Sequence, residues 1–202
     1  MVGFMNDIAV IGAGYWGQNL VRNVSALGRL AMICDASEAI RSKMSSLYPG
    51  VSVTETLSDV LNNPKVNGVM VAVPSKSHAE VARMCLLAGK HVYVEKPITL
   101  DVGEADALCE LAEANNLQLM VGHLLLFHPC VRWIKESIHQ GVLGDVFYLN
   151  SVRVNLGKVR SDENAMWSLA PHDISVAMYL LNAEPETVAA QGLCYVQKER
   201  KI

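Results

Sequence analysis

Three spaced glycines follow an apolar run in the stretch Ile8-Ala9-Val10-Ile11-Gly12-Ala13-Gly14-Tyr15-Trp16-Gly17. The apolar run predicts a buried strand, and the apolar residues that come next recur at helical spacing. Gly12 permits a sharp turn, Gly14 lets a ligand approach the backbone, and Gly17 lets a helix pack close to the strand. Free N–H groups at the start of such a helix attract phosphates. The stretch therefore predicts a strand, a tight turn and a helix that together bind phosphate.

A second apolar run, residues 30–34, ends at Asp35. An acid at this distance from the glycines is typical of a dinucleotide site, where it bonds the ribose hydroxyls. Ala36 and Ser37 follow Asp35, so we expect no neighbouring arginine to bind a 2′-phosphate. The cofactor predicted from these residues is NAD rather than NADP. The alternative is a glycine turn that holds no ligand.

The composition narrows the class of protein. The chain has 202 residues, 51% of them hydrophobic, and a net charge of −3, which together predict a globular fold. It shows no basic run, signal peptide or membrane span, so we expect neither nucleic acid nor a membrane as a partner. The cysteines form no C-x-x-C pair and predict reduced core residues of a cytoplasmic protein, namely Cys34, Cys85, Cys109, Cys130 and Cys194.

Strand and helix patterns alternate as far as residue 121. Strands are predicted at 51–53, 68–73, 91–94 and 117–121, separated by helices at 37–47, 56–61, 77–88 and 101–115. Repeated units of this kind predict the α/β class, with a doubly wound parallel sheet of the Rossmann type. Ligands of such sheets bind beyond the carboxyl ends of the strands. Those ends carry Gly12, Asp35, Pro74 and Glu95-Lys96-Pro97.

The pattern changes after Gly122, and this change predicts a dinucleotide-binding domain over residues 1–122 and a second domain over 123–202. A helix is expected at 130–139 and a second one within 167–181, and strands are expected at 145–154 and 187–196. This mixture predicts a partial α+β domain that binds substrate or forms an oligomer.

Two residues are candidates for acid–base chemistry. Lys96 ends a strand at the edge that faces the cofactor, where the positive nicotinamide ring would favour a neutral amine that accepts a hydroxyl proton. An exposed Glu95–Lys96 pair explains its position equally well. His172 stands between Pro171 and Asp173 at the expected start of a helix, and its imidazole suits proton transfer. The alternative is a structural histidine bonded to a local carbonyl.

Other polar residues give weaker signals. His123 and His128 could line the cleft between the domains, although packing and capping explain them better. Arg153, Asn155 and Lys158 could contact sugar or phosphate, and an exposed strand end explains them equally well. No cluster has the spacing of a metal site.

Four motifs together resemble the Gfo/Idh/MocA oxidoreductases. They are the glycine stretch of residues 12–17, then Val71-Ala72-Val73-Pro74-Ser75 with His78, then Glu95-Lys96-Pro97, and finally Pro171-His172-Asp173. The resemblance implies an NAD(P)-dependent sugar dehydrogenase in which Lys96 and His172 lie near the reacting carbon. It also implies cofactor contacts from Tyr15, Trp16, Pro74, His78, Glu95, Lys96 and Pro97, in addition to Gly12, Gly14, Gly17 and Asp35.

Residues 155–173 further resemble the branch of this family that oxidises the 3-hydroxyl of UDP-N-acetylglucosamine-type nucleotide sugars. Ser168 stands where members often carry Asp. Members are also about half as long again, so the resemblance implies a second domain cut short. We expect a small-molecule sugar substrate, a homo-oligomer, and a chain that binds NAD but turns over sugar poorly or not at all by itself. The alternative function is a non-catalytic dinucleotide-binding or interaction module.

Overall fold

The computed structural model describes residues 7–154 and 164–193. The chain divides into two compact units, Met1–Gly122 and His123–Ile202. Each unit has its own helices, and the strands all lie in the first unit over the described residues.

A six-stranded sheet forms the centre of the first unit. Its strands are β1 (Ile8–Ile11), β2 (Leu30–Cys34), β3 (Ser52–Thr54), β4 (Gly68–Val71), β5 (His91–Val94) and β6 (Leu119–Val121). They stand in the order β3-β2-β1-β4-β5-β6, and every neighbouring pair is parallel. This is the Rossmann order, which reverses direction between β1 and β4 and opens a ligand crevice there. The predicted α/β fold class is confirmed.

Helices cover both faces of this sheet because its strands are apolar on both sides. They are α1 (Gly17–Ala26), α2 (Glu38–Leu47), α3 (Leu57–Leu61), α4 (His78–Leu87) and α5 (Val102–Ala114). One core cluster includes Val71 and Val94, and the other includes Val10 and Ile33, all four fully or almost fully buried. The strands are thereby fixed, and their carboxyl ends share one edge of the sheet.

Polar groups stabilise the opposite edge, where the strands begin. Arg29 makes a two-pronged ion pair with Asp7, with both N–O distances 2.6 Å. The pKa of Asp7 lies below its ordinary value, mainly because Arg29 hydrogen-bonds its carboxylate. Lys90 is also buried, and its ammonium group donates to the carbonyl oxygens of Asn63 and Val66.

The regular secondary structure of the second unit is helical over the residues that the structure describes. A 3₁₀ turn at Leu124–Phe127 leads into α6 (Pro129–His139), and α7 follows at Ala165–Leu181. The two helices meet where the Lys135 ammonium group donates to the carbonyl oxygen of Leu180. Asn164 caps α7, since its side chain accepts from the amide of Trp167.

The strands predicted in the second unit are absent from the part of it that is described. Residues 145–154 and 187–193 have no regular secondary structure, and residues 194–196 lie outside the described range. A strand needs a neighbour for its backbone hydrogen bonds, and no described segment of this unit supplies one. Apolar side chains that would face a sheet are instead exposed, among them Phe147, Tyr148, Val152, Val154, Val188 and Leu193.

The cysteines are partly as expected. Cys34 and Cys85 are buried, and burial raises the pKa of their thiols to about 11 and about 12 respectively. The prediction was wrong for Cys109 and Cys130, which are exposed free thiols, because each lies on the solvent side of its helix. Cys194 lies outside the described residues. Within the described ranges, no helix is both long and apolar enough to cross a membrane.

Candidate functional site

The glycine turn has the backbone geometry that its sequence predicts. Gly12 has a φ of +87°, and a Cβ there would lie 2.7 Å from the carbonyl oxygen of Ala72 at the end of β4. A Cβ on Gly17 would overlap the carbonyl oxygen of Gly12. Apart from the two chain neighbours of Gly14, in contrast, no described residue has an atom within 4 Å of its Cβ position. The turn is therefore packed against the sheet on one side and open on the side where a phosphate would approach.

Asp35 lies beside this turn at the end of β2. Its Oδ2 accepts a 2.7 Å hydrogen bond from the amide of Ala13, and its Oδ1 accepts from the amide of Ser37 at 2.8 Å. A carboxylate has about four lone-pair sites, so both oxygens can accept further hydrogen bonds. The acid is thus fixed in orientation and still able to bind two ribose hydroxyls.

Arg41 also lies next to Asp35, which the sequence analysis missed. Its guanidinium donates to the carbonyl oxygens of Asp35 and Ala36, and it pairs with Glu55 at 2.8 Å. The two residues that follow Asp35 are not basic, but the first turn of α2 brings Arg41, six positions further along the chain, back to Asp35. The described contacts of the Arg41 guanidinium are thus with two backbone carbonyl oxygens and the Glu55 carboxylate.

Glu95 is the centre of a hydrogen-bond network at the end of β5. Its side chain is buried, and Oε1 accepts from the indole Nε1 of Trp16 and from the hydroxyl of Tyr93, each at 2.7 Å. Oε2 accepts from the amide of Lys96 at 3.3 Å. Burial, and then the hydrogen bond to Glu95, raises the pKa of Tyr93 above its ordinary value. The phenol therefore stays protonated and acts as a donor.

His78 joins two loops at the same edge. Its Nδ1 lies 2.6 Å from the carbonyl oxygen of Pro97, and its Nε2 lies 2.9 Å from that of Val73. The ring is 2% exposed. Both nitrogens are thus engaged by the protein, so any effect of His78 on a cofactor would pass through these loops. The Lys96–Pro97 peptide, which His78 supports, is cis.

The first unit gathers its predicted residues at one edge. Gly12, Gly14, Tyr15, Trp16, Gly17, Asp35, Pro74, His78, Glu95, Lys96 and Pro97 all lie at or just beyond the carboxyl ends of β1, β2, β4 and β5. Tyr15 is 95% exposed at the tip of the turn. An open glycine backbone beside an oriented acid fits a dinucleotide. No group of three or more potential metal ligands is found among the described residues.

The second unit holds the remaining predicted residues. His172 lies in the middle of α7, not at a helix start as expected, because Asn164 begins this helix well before Pro171. Its neighbour Asp173 makes a two-pronged ion pair with Arg153, with an Nε–Oδ2 distance of 2.7 Å, and it also accepts from the Ser151 hydroxyl. Hydrogen bonding to Arg153 holds the pKa of Asp173 below its ordinary value.

The other histidines have local roles. His128 caps α6, since its Nδ1 accepts from the amide of Cys130, in agreement with the capping alternative. His123 immediately precedes the 3₁₀ turn of the second unit. Asn155 and Lys158 lie outside the described residues.

The comparisons with known proteins agree with this geometry. A family model described as "Oxidoreductase family, NAD-binding Rossmann fold", GFO_IDH_MocA, matches residues 7–123. The chain is 32% identical over 193 residues to a UDP-N-acetylglucosamine 3-dehydrogenase of Acidithiobacillus ferrooxidans, covering 93% of this chain and 58% of that protein.

Solved structures share the fold. A putative myo-inositol dehydrogenase of Sinorhizobium meliloti superposes with a TM-score of 0.76 at 26% identity, over 89% of this chain and 56% of that one. A scyllo-inositol dehydrogenase of Lactobacillus casei, solved with bound NAD(H) and scyllo-inositol, gives a TM-score of 0.73 at 22% identity, over 87% and 56% of the two chains.

This chain therefore belongs to the Gfo/Idh/MocA oxidoreductase family, and its first unit is an NAD-binding Rossmann domain. It spans between 53% and 62% of the length of five curated relatives that it matches over nearly its whole length.

Proposed function

We propose that the chain acts in the NAD-dependent oxidation of a sugar hydroxyl, with a nucleotide sugar of the UDP-N-acetylglucosamine type as substrate and its 3-position as the reacting carbon. The observation that carries this proposal is the placement of Lys96 at the same sheet edge as the open glycine turn and Asp35. The similarity to the Acidithiobacillus ferrooxidans dehydrogenase supports the choice of substrate.

Different residues are proposed to bind the cofactor and to transfer the proton. The amides at the start of α1 would bind the pyrophosphate, and Asp35 would accept hydrogen bonds from the ribose hydroxyls. NAD supplies the hydride acceptor when it is bound. Lys96 or His172 takes the proton of the substrate hydroxyl as the carbon loses its hydride, which leaves a ketone.

A non-catalytic dinucleotide-binding module is the second candidate. It is favoured by one observation, that the glycine turn, Asp35 and Glu95 all lie in the first unit. Such a module would bind NAD without turnover, so binding alone cannot separate the two candidates.

A turnover screen separates them. The purified chain is incubated with NAD and a panel that includes UDP-N-acetylglucosamine, UDP-glucose, myo-inositol and free N-acetylglucosamine, and NADH formation is followed by absorbance. We expect NADH with the UDP-N-acetylated sugar first. NADH with the inositol alone would correct the substrate, and binding of NAD without NADH formation from any member would favour the module.

A further inference from the structure

Two parts of the first unit that are distant in sequence are joined by a hydrogen bond between two side chains. Trp16 follows β1 and Glu95 follows β5, and in the sheet β4 lies between these two strands. The hydrogen bond from Trp16 to Glu95, 2.7 Å long, therefore spans the carboxyl end of β4. It links the glycine turn to the loop that carries Lys96.

The carboxylate of Glu95 is held from three directions. Trp16 and Tyr93 donate to one oxygen, and the amide of Lys96 donates to the other. Hydrogen bonds to an ionised acceptor are shorter and stronger than neutral ones. A buried carboxylate with several donors is thus fixed in orientation, and so is each donor.

Close packing limits the freedom of this network. Gly122 follows β6, and a Cβ there would lie 2.5 Å from the Tyr93 hydroxyl and 3.0 Å from the Cδ of Glu95. Only glycine leaves the room that these two side chains occupy. The backbone at Gly122 therefore limits movement of Glu95 in that direction.

We propose that Glu95 is a positioning residue that sets the orientation of Lys96 according to the position of Trp16. Seating a phosphate in the glycine turn and aligning Lys96 for proton transfer then depend on each other. Tyr93 belongs to the same hydrogen-bond network, because its hydroxyl is the second donor to Oε1 of Glu95, the atom that Trp16 contacts. This inference rests on the proposed function only for the role that it gives to Lys96.

The test measures the environment of Lys96 directly. Trace acetylation with acetic anhydride, quantified by mass spectrometry, gives the labelling rate of Lys96 relative to the exposed Lys65 in the full chain without cofactor. Trp16→Phe keeps an aromatic ring and removes only the indole N–H. We expect it to change the relative rate by at least about threefold, the scale of one lost hydrogen bond.

Two variants of Glu95 should change the labelling rate of Lys96 to different extents. Glu95→Gln keeps one acceptor oxygen and Glu95→Ala keeps none, so the change should grow from Gln to Ala. The double variant Trp16→Phe/Glu95→Ala should match Glu95→Ala alone, because Trp16 acts through Glu95. Trp133→Phe, at a residue that is 66% exposed in the second unit, is the matched control and should change nothing.

A purely structural network would lower the melting temperature and leave the relative labelling rate of Lys96 unchanged in the folded variants. That result, or additive effects in the double variant, overturns the proposal. Calorimetric titration with NAD is run on the same proteins, and we expect Trp16→Phe to bind about tenfold more weakly. A wild-type chain that does not bind NAD contradicts the proposed function, while the labelling rates still decide the role of Glu95.

Discussion

The amide of Ala13 donates a 2.7 Å hydrogen bond to Oδ2 of Asp35. The glycine turn and Asp35, which we propose bind the phosphates and the ribose, are therefore fixed to one another before any cofactor arrives. Preorganisation of this kind reduces the cost of binding, and it places a negative charge where the adenosine ribose is expected.

The first prediction concerns the choice between the two dinucleotides. Asp35 repels a 2′-phosphate, and the Arg41 guanidinium is engaged by two carbonyl oxygens and Glu55. We expect calorimetry to show NAD binding at least about tenfold tighter than NADP, since placing like charges together is costly. Asp35→Ala should remove most of this preference, whereas Glu38→Ala, at an exposed acid nearby, should keep it. NADP binding that equals or exceeds NAD binding in the wild type would show the assignment of Asp35 to be wrong.

The second prediction concerns proton transfer. Lys96→Ala and His172→Ala should each lower turnover, by the factor of about 10²–10⁴ that general acid–base groups contribute. Neither residue belongs to the phosphate turn, so the dissociation constant for NAD should stay nearly the same. Lys76→Ala and His139→Ala are the exposed controls. Full activity in both test variants would remove these residues from the mechanism.

The third prediction concerns the buried imidazole of His78. His78→Ala removes the ring whose two nitrogens face the carbonyl oxygens of Val73 and Pro97, so at least one of these oxygens loses its N–H donor. An unsatisfied buried group costs about 1–3 kcal/mol, so urea unfolding should show a loss of about 2 kcal/mol or more. His139→Ala, on the surface of α6, should cost little. If the two variants are equally stable, the two contacts of His78 contribute nothing.

The fourth prediction concerns pH. The folded protein holds the pKa of Asp7 below its ordinary value of 3.8. The stability that this gives is present above the ordinary value and is lost as the pH falls through the lowered one. Asp7→Asn should therefore destabilise the protein at neutral pH, and the difference from wild type should shrink in acid. Asp106→Asn, at an exposed acid, should show no such trend. A difference that persists unchanged in acid would contradict the ion-pair explanation.

The fifth prediction concerns self-association. Phe147 and Val152 are 89% and 77% exposed, and contiguous exposed apolar surface favours association. We expect light scattering to show oligomers whose fraction falls in the variant Phe147→Ser/Val152→Ser. The surface variant Ser45→Ala on α2 is a control. A wild-type chain that is monomeric at every concentration would contradict this expectation.

The first unit was predictable from sequence because its signals are local. A buried strand, three glycines and an acid at the end of the next strand together specify a Rossmann sheet, and the helix and strand bounds follow from periodicity. Arg41 and Tyr93 were missed for a different reason. Their importance comes from the contacts with Asp35 and Glu95 that the folded sheet creates, and neither side chain has an unusual sequence context.

The second unit was predicted less well. Alternating apolar residues at 145–154 suggested a strand, but a strand depends on a partner that local pattern does not reveal. His172 was expected at a helix start because Pro171 favours such a position, whereas the cap at Asn164 begins α7 seven residues before Pro171. The strand prediction failed because a tertiary partner is needed, and the helix start was misplaced because the capping interaction at Asn164 outweighed the local signal of Pro171.

Isotope transfer tests the central claim most directly. UDP-N-acetylglucosamine deuterated at carbon 3 is mixed with NAD and an equal or greater amount of the chain, and the cofactor is analysed by mass spectrometry, which detects even a single slow turnover. The proposed function predicts NADH that carries one deuterium. NADH without deuterium, or no NADH from a chain that binds both NAD and the sugar, would contradict it.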